Sequence, residues 1–437
     1  MWYYIKYEKL NQLNKGMIVD MKIGYACLTV GVKETGFRTC IMKNATEEKL
    51  LEIIEHNLNS LENIIDYNIK NNVKLFRISS DLIPFGSSDI NMISWWDYFQ
   101  SKLSLIGKKI KDSGIRISMH PGQYTILNSP KEDVVRKAIE DLNYHNRVLT
   151  SLEANSQNKI ILHIGGVYGD KEEAIKRFIH NFGLLSDGIK ERLVIENDDK
   201  SYNIDEVLKI GKKLNIPVVY DNLHNEILSF DNTKDDYYWI NECSKTWKKE
   251  DGVQKIHYSQ QNHDKRPGAH STTIGIEKFK GFIDKLDQDI DIMLEVKDKN
   301  LSAVKCINLI SKDGQIKSLE FEWSKYKYNI LEHSPSHYNE MRNLLKDKTK
   351  YPVLEFYKII EEALDTEITR GNFINGAQHV WGYFKIKSTD KEKSKFIKEL
   401  EKFEEGERTM KNIKNQLLKT ALKYDEPYLM DSYYFDF

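Results

Sequence analysis

His120, His163, Glu196, Asp221, His224, His257, His270 and Glu295 are the residues of this chain best suited to carry chemistry. All are imidazoles or carboxylates, the donors that hard and borderline divalent cations take. No cysteine is among them, which argues against a structural zinc site. Two glutamates, an aspartate and several imidazoles could hold two or three ions. Such a cluster suits reactions at phosphoryl oxygen, where one ion activates water and another stabilises the leaving oxygen. His263 sits between His257 and His270, and its spacing leaves its role open.

These residues need a scaffold that brings distant segments together. Short apolar, β-branched runs recur at 22–28, 75–79, 115–120, 160–164, 193–196, 218–221, 255–258 and 292–296. The gaps leave room for a crossover helix after each run. Between the first two, Leu50, Ile54, Leu58, Leu61, Ile65 and Ile69 recur at helical steps, with Thr46 before Glu47 and Glu48 as the start. Asp170 with Glu173 resembles a capping box, and 205–213 form a short amphipathic helix ended by Asn215 and Pro217. Eight strands with eight crossovers are the arithmetic of a (β/α)8 TIM barrel. An open doubly wound sheet is the alternative, but no GxGxxG follows the first strand.

In a barrel the chemistry gathers where strands end. The candidates fall at or just beyond the ends of strands three to eight, in order. One strand histidine is usually structural; agreement over six consecutive strand ends is much harder to obtain by chance. His56, His145 and His180 fall on expected helices and read as structural.

The remaining composition sets limits. The chain has 437 residues, with 65 Lys+Arg against 66 Asp+Glu and a net charge of -1. That balance excludes a strongly basic coat protein but leaves room for local DNA-binding patches. Cys27, Cys40, Cys243 and Cys306 form no CxxC pair, which fits a reducing, cytoplasmic setting. The start has no signal-peptide pattern, and no apolar run is long enough to span a membrane. Residues before Met21 read as a leader, 21–310 as the barrel and 318–437 as an all-α domain, with the boundary near Lys312-Asp313-Gly314.

The run His120-Pro121-Gly122-Gln123-Tyr124 resembles the HPGQY signature of UV damage endonucleases. Arg77-Ile78-Ser79-Ser80-Asp81, His163-Ile164-Gly165-Gly166, Glu196-Asn197-Asp198, Asp221-Asn222-Leu223-His224 and Lys255-Ile256-His257-Tyr258-Ser259 fit the same family in order. The resemblance implies a TIM-barrel DNA repair endonuclease that flips bases and nicks 5′ to ultraviolet photoproducts, and in some members at abasic sites. It implies manganese, as two or three ions, with magnesium, cobalt or zinc as substitutes. By that resemblance the metal ligands are His120, His163, Glu196, Asp221, His224, His257, His270 and Glu295. Glu196, Asp221, His257, Glu295 and Lys255 are the catalytic set. Lys255 is expected near the metals, neutral or modified, or paired with Glu196 or Glu295. Gln123, Tyr124 and Tyr25 are expected to probe the DNA, the first two filling the gap left by an extruded lesion. Tyr25 reads equally as a core tyrosine. Ser88 stands where the family often has histidine. The partner implied is damaged duplex DNA, bound by a monomer, with no membrane. Lys265, Arg266, Lys297 and Lys299 are candidates for phosphate contacts.

The alternatives are a sugar isomerase or epimerase, or an abasic-site endonuclease, on the same barrel, and a damage-binding module without catalysis. Beyond the barrel, Glu332-His333-Ser334-Pro335, Thr369-Arg370-Gly371-Asn372 and Gln378-His379-Val380-Trp381-Gly382 resemble the YbgA-like domain, which implies no activity.

Overall fold

A computed structural model describes residues 21–436. The expected leader lies outside the described residues. The strands are β1 (Ile23–Ala26), β2 (Leu75–Ile78), β3 (Arg116–Met119), β4 (Lys159–His163), β5 (Leu193–Glu196), β6 (Val218–Asp221), β7 (Lys255–Tyr258) and β8 (Asp291–Leu294). They form a closed barrel in sequence order, every neighbour parallel, with β8 returning to β1 through Ile23–Ile292 and Tyr25–Leu294. At Gly24 a side chain would meet the carbonyl oxygen of Leu75, so only glycine lets β1 lie this close to β2.

The longer helices are α1 (Glu47–Lys70), α2 (Gln100–Ser113), α3 (Glu132–Ser151), α4 (Lys171–Gly183), α5 (Ile204–Leu214), α6 (Asp236–Ser244), α7 (Ile276–Ile283) and α8 (Asn300–Ile310). After them come α9 (Ile316–His333), α10 (Pro335–Leu344), α11 (Val353–Asp365), α12 (Arg370–Trp381), α13 (Asp390–Glu404) and α14 (Met410–Lys423). Thr46 caps α1, its side chain accepting from Lys49 N. Asp170 caps α4, but the reciprocal half of the expected box is missing, because Glu173 pairs with Lys176 at 2.5 Å. A complete box is found at α5, between Asn203 and Glu206, and Asn215 closes that helix with φ of 58°.

Period-two alternation decides what faces the barrel interior. His163 and Ile161 share a face of β4, as do Glu196 and Val194 on β5, Asp221 and Val219 on β6, and His257 and Lys255 on β7. Ile161, Val194 and Val219 pack together beneath the polar strand ends. At the opposite end of the barrel, the buried Arg116 guanidinium binds Asp291 at 2.8 Å. It also donates to the carbonyls of Gln157, Val253 and Asp251.

By packing, the described chain divides into two compact units. One holds all eight strands and spans 21–28, 35–272 and 285–299; the other holds 29–34, 273–284 and 300–436. The second is helical, and α7 and α8 belong to it. Its cores gather Ile276, Leu301, Leu319, Tyr357 and Ile360 in one cluster, and Phe373, Trp381, Phe396, Phe403, Ile413 and Leu417 in another. The expected boundary near Lys312-Asp313-Gly314 falls in the turn between α8 and α9.

Candidate active site

Glu196, the last residue of β5, is the hub of the strand-end cluster and is 1% exposed. His257 Nδ1 lies 2.8 Å from its Oε1, and His120 Nε2 lies 3.1 Å from its Oε2. His224 Nδ1 and His163 Nε2 follow at 3.6 and 3.9 Å. Glu295, just past β8, forms a second focus, with His257 Nδ1 at 3.3 Å and His270 Nε2 at 3.8 Å. Arg77 on β2 is ion-paired to Glu295. Asp221 Oδ1 accepts from the His224 amide at 2.8 Å and lies 3.8 Å from its ring.

Electrostatics follows from this crowding. Burial works to raise the pKa of Glu196, but His257 and His163 outweigh it, and the carboxyl lies well below its ordinary range. Burial also opposes ionisation of Glu295, yet Arg77 and His257 hold it low. Asp221 is pushed up by burial, and the neighbouring Glu196 adds to the effect. Burial disfavours charge on His224, but Asp221, Glu196 and Glu295 prevail and raise it to about 9. Burial lowers the pKa of His163.

Three buried donor atoms in this cluster have no hydrogen-bond partner among the described residues: Asp221 Oδ2, His163 Nδ1 and His257 Nε2. Buried polar atoms are almost always satisfied, and a metal-binding cluster accounts for such exceptions. Ligating atoms of His120, His163 and Glu196 lie within 4.8 Å of one another, as do those of Glu196, Asp221 and His257. The residues therefore fit divalent cations in number, type and placement.

The other sequence candidates fall in different places. Gln123 and Tyr124 are exposed on the loop after β3, with Tyr124 66% exposed. A cavity of about 240 Å3 opens beside them, lined by Gln123, His163, Asp198, Lys200 and His224 among others. Tyr25, expected either to probe the DNA or to pack in the core, lies on β1. Its ring is fully buried and its hydroxyl donates to Asn68 on α1 at 2.7 Å, so it joins strand to helix. Lys255 is also fully buried, but one layer below His257. Its ammonium has no hydrogen-bond partner among the described residues, and the expected pairing with Glu196 or Glu295 is absent. Burial and the nearby Arg116 push its pKa far down. Ser88 caps its own turn, accepting from Ile90 N at 3.3 Å. His263 is exposed on its loop. His145 is buried and structural: it meets Ser80 Oγ at 2.8 Å, and that hydroxyl donates to the His120 carbonyl.

Sequence reasoning passed over three supporting residues. Arg77 was legible as a charge inside an apolar strand. Asn197 and Asn222 each follow a strand-end acid or cap. Asn197 exchanges two hydrogen bonds with the backbone of Asp221, at 2.9 and 3.0 Å, and Asn222 does the same with Ser259, at 2.8 and 3.0 Å. Their amides extend the ladder past the strand ends and fix the spacing of β5, β6 and β7 where the site residues emerge. The signal was the repeated pair Glu196-Asn197 and Asp221-Asn222.

Comparison with known proteins places these features in context. Residues 21–325 match the UV-endonuclease UvdE family, and residues 327–437 match a protein family of unknown function, DUF1722. The UV DNA damage endonuclease of Clostridium perfringens is 46% identical over 352 residues, covering 79% of this chain and 83% of that protein. The corresponding protein of Bacillus cereus strain G9842 is 33% identical over 282 residues, 64% of this chain and 88% of its own. The crystal structure of SacUVDE is 40% identical, covers 66% of this chain and 98% of its own, and superposes with a TM-score of 0.62. Among the described residues, no helix is long and apolar enough to cross a membrane.

Proposed function

The chain belongs to the UV-endonuclease UvdE family, and on that premise we infer that it is a metal-dependent DNA repair endonuclease that nicks duplex DNA 5′ to ultraviolet photoproducts. The observation that carries the reading is the convergence of strand ends three to eight on Glu196 and Glu295, with three buried donor atoms left unpartnered. His120, His163, Glu196, Asp221, His224, His257, His270 and Glu295 would hold the ions, manganese being the one inferred. Divalent ions bound there supply Lewis acidity toward phosphate oxygens and lower the pKa of a bound water.

The chain's own residues do the rest. Glu196, Asp221 and Glu295 bring negative charge to the barrel mouth, and the imidazoles complete the donor set. Arg77 orients Glu295, while Asn197 and Asn222 hold the strand ends in register. Gln123 and Tyr124 project where a duplex would meet the site. Tyr124 is suited to stack in the gap left by an extruded dinucleotide, and Gln123 to bond an orphaned base. A photoproduct is already poorly stacked, so extruding it costs less than extruding normal bases. Lys255 supports the ligand layer from beneath. The cytoplasm is the inferred compartment, resting on four unpaired cysteines, and the enzyme is inferred to act as a monomer.

Incubation of an irradiated duplex with the protein and Mn2+, beside unirradiated DNA and an EDTA control, tests the reading. A lesion-dependent, EDTA-sensitive nick is expected, and its absence would overturn the proposal. A Gln123→Ala/Tyr124→Ala variant should lose most lesion-directed nicking. Unchanged nicking would remove the probing role of Gln123 and Tyr124.

A further inference from the structure

The helical unit carries a second cluster of cationic and aromatic side chains that the endonuclease reading does not use. α9 supplies Lys327 and Tyr328, and α10 supplies Tyr338 and Arg342 one turn apart. The turns Gly382–Phe384 and Pro427–Met430 supply Tyr383 and Tyr428. Four separate stretches of chain thus meet on one face. The Tyr328 hydroxyl donates to that of Tyr383 at 2.7 Å. Tyr383 and Tyr428 stack with ring centroids 5.6 Å apart and planes 13° from parallel. Lys327 Nζ lies 4.9 Å from the Tyr328 centroid and 5.7 Å from that of Tyr428. Arg342 Cζ lies 5.8 Å from the centroid of Tyr338.

The charges here are unbalanced. Elsewhere in the unit Lys325 pairs with Glu322, Lys414 with Glu332 and Arg408 with Glu399. Neither Lys327 nor Arg342 makes an ion pair among the described residues. Lys327 is half-buried, and burial and the Arg342 charge both disfavour its ammonium. Arg342 is exposed and its charge reaches Lys327, so a half-buried ammonium without a counter-ion costs free energy that a bound anion would recover. The half-buried tyrosines around them offer aromatic surface of the kind on which bases stack, whatever their identity.

We propose that this cluster is a nucleotide-binding site, with a phosphate ester between Lys327 and Arg342 and a base against the Tyr383–Tyr428 pair, and that its ligand is an unpaired nucleic-acid strand. The pairing of phosphate-neutralising cations with stacking rings is the arrangement by which single strands are held without sequence preference. Free nucleotides share this chemistry, and competition separates the two sources.

The test uses the full chain in EDTA, so that nicking is silent, and the fluorescence anisotropy of a labelled oligothymidylate at several salt concentrations. Lys327→Ala/Arg342→Ala should weaken binding roughly 10-fold and reduce the logarithmic salt slope by about 1.4, the value for two lost contacts on a single strand. Tyr383→Ala/Tyr428→Ala should weaken it by about 10-fold too, whereas Tyr383→Phe/Tyr428→Phe should stay within about twofold, because the rings remain. Both alanine pairs binding within about twofold of the parent would overturn the site. Displacement of the oligonucleotide by dTMP or inorganic phosphate at equal phosphate concentration would overturn the strand as ligand. Glu196→Gln should lose nicking yet bind the oligonucleotide as the parent does, which separates failure here from failure of the endonuclease reading.

Discussion

Replacing Arg77 by methionine isolates the ion pair that steadies Glu295. Both side chains are 13% exposed, so solvent screens the pair weakly. Removing one partner of a buried pair costs about 3–5 kcal/mol, because the other charge is left uncompensated. His257 Nδ1, 3.3 Å from the same carboxylate, supplies partial relief and favours the lower end. About 3 kcal/mol, at roughly 2 °C per kcal/mol for a domain of this size, lowers the melting temperature by about 6 °C. The measurement is thermal unfolding at pH 7 in EDTA, followed by circular dichroism. Arg77→Met/Glu295→Gln should regain about half of the loss, since no unpaired charge remains. The acid limb should move as well. The Glu295 carboxyl is held low in the folded state, so its stabilisation is present above about pH 4.3 and fades as pH falls through the folded pKa. Without Arg77 the folded pKa rises, so the fade is smaller and ends at higher pH. With metal restored, nicking by Arg77→Met should fall about 10- to 100-fold, as when a ligand loses its orienting partner. A melting temperature within about 1 °C of the parent together with full nicking would refute the reasoning.

Other perturbations address different layers. Glu196→Gln removes the charge that four imidazoles face; bound metal, counted by mass spectrometry of the native protein, should drop, and nicking should fall at least about 100-fold. Lys255→Met replaces a buried amine that has no hydrogen-bond partner among the described residues with an apolar chain of similar volume, so the EDTA-treated protein should melt higher, by about 2 °C or more, while nicking falls because the layer beneath the ligands is altered. In the helical unit, burial pushes Glu332 up to about 7 although Lys414 lies 2.5 Å away. Its folded pKa exceeds the unfolded value, so the stability it contributes is full below about pH 4.3 and is lost as pH rises through about 7. Glu332→Gln should flatten that slope in melting temperatures taken from pH 5 to 8.

The strands were legible because each is a short β-branched run, and closure follows from their number and spacing. The strand-end acids and imidazoles were legible for the same reason: a barrel leaves one place for them. What the sequence concealed depends on depth and direction. Lys255 and His257 are two residues apart on one face, and nothing in their spelling says that one reaches the rim while the other stays a layer below. Tyr25 could face a pocket or a helix, and the partner that decides it, Asn68, lies 43 residues away. Glu173 could complete the Asp170 cap or bind a lysine one turn on, and Lys176 took it. Asn197 and Asn222 act through backbone hydrogen bonds to the next strand, a role visible only once the strands are side by side.

The two family matches abut at residues 325 and 327, and that seam lies inside α9, which runs unbroken from Ile316 to His333. Leu319 and Glu322 are buried on one side of the seam, and Tyr328, Ile330 and Leu331 on the other. A gene fusion that left two beads on a string would have placed its joint in an exposed linker. Here the joint is a continuous helix, and one core takes Leu319 from before the seam and Ile330 from after it, so an excision along the family border would sever secondary structure and strand apolar surface on both fragments. The appended segment has become hereditary cargo that can be edited residue by residue but not cut away cleanly.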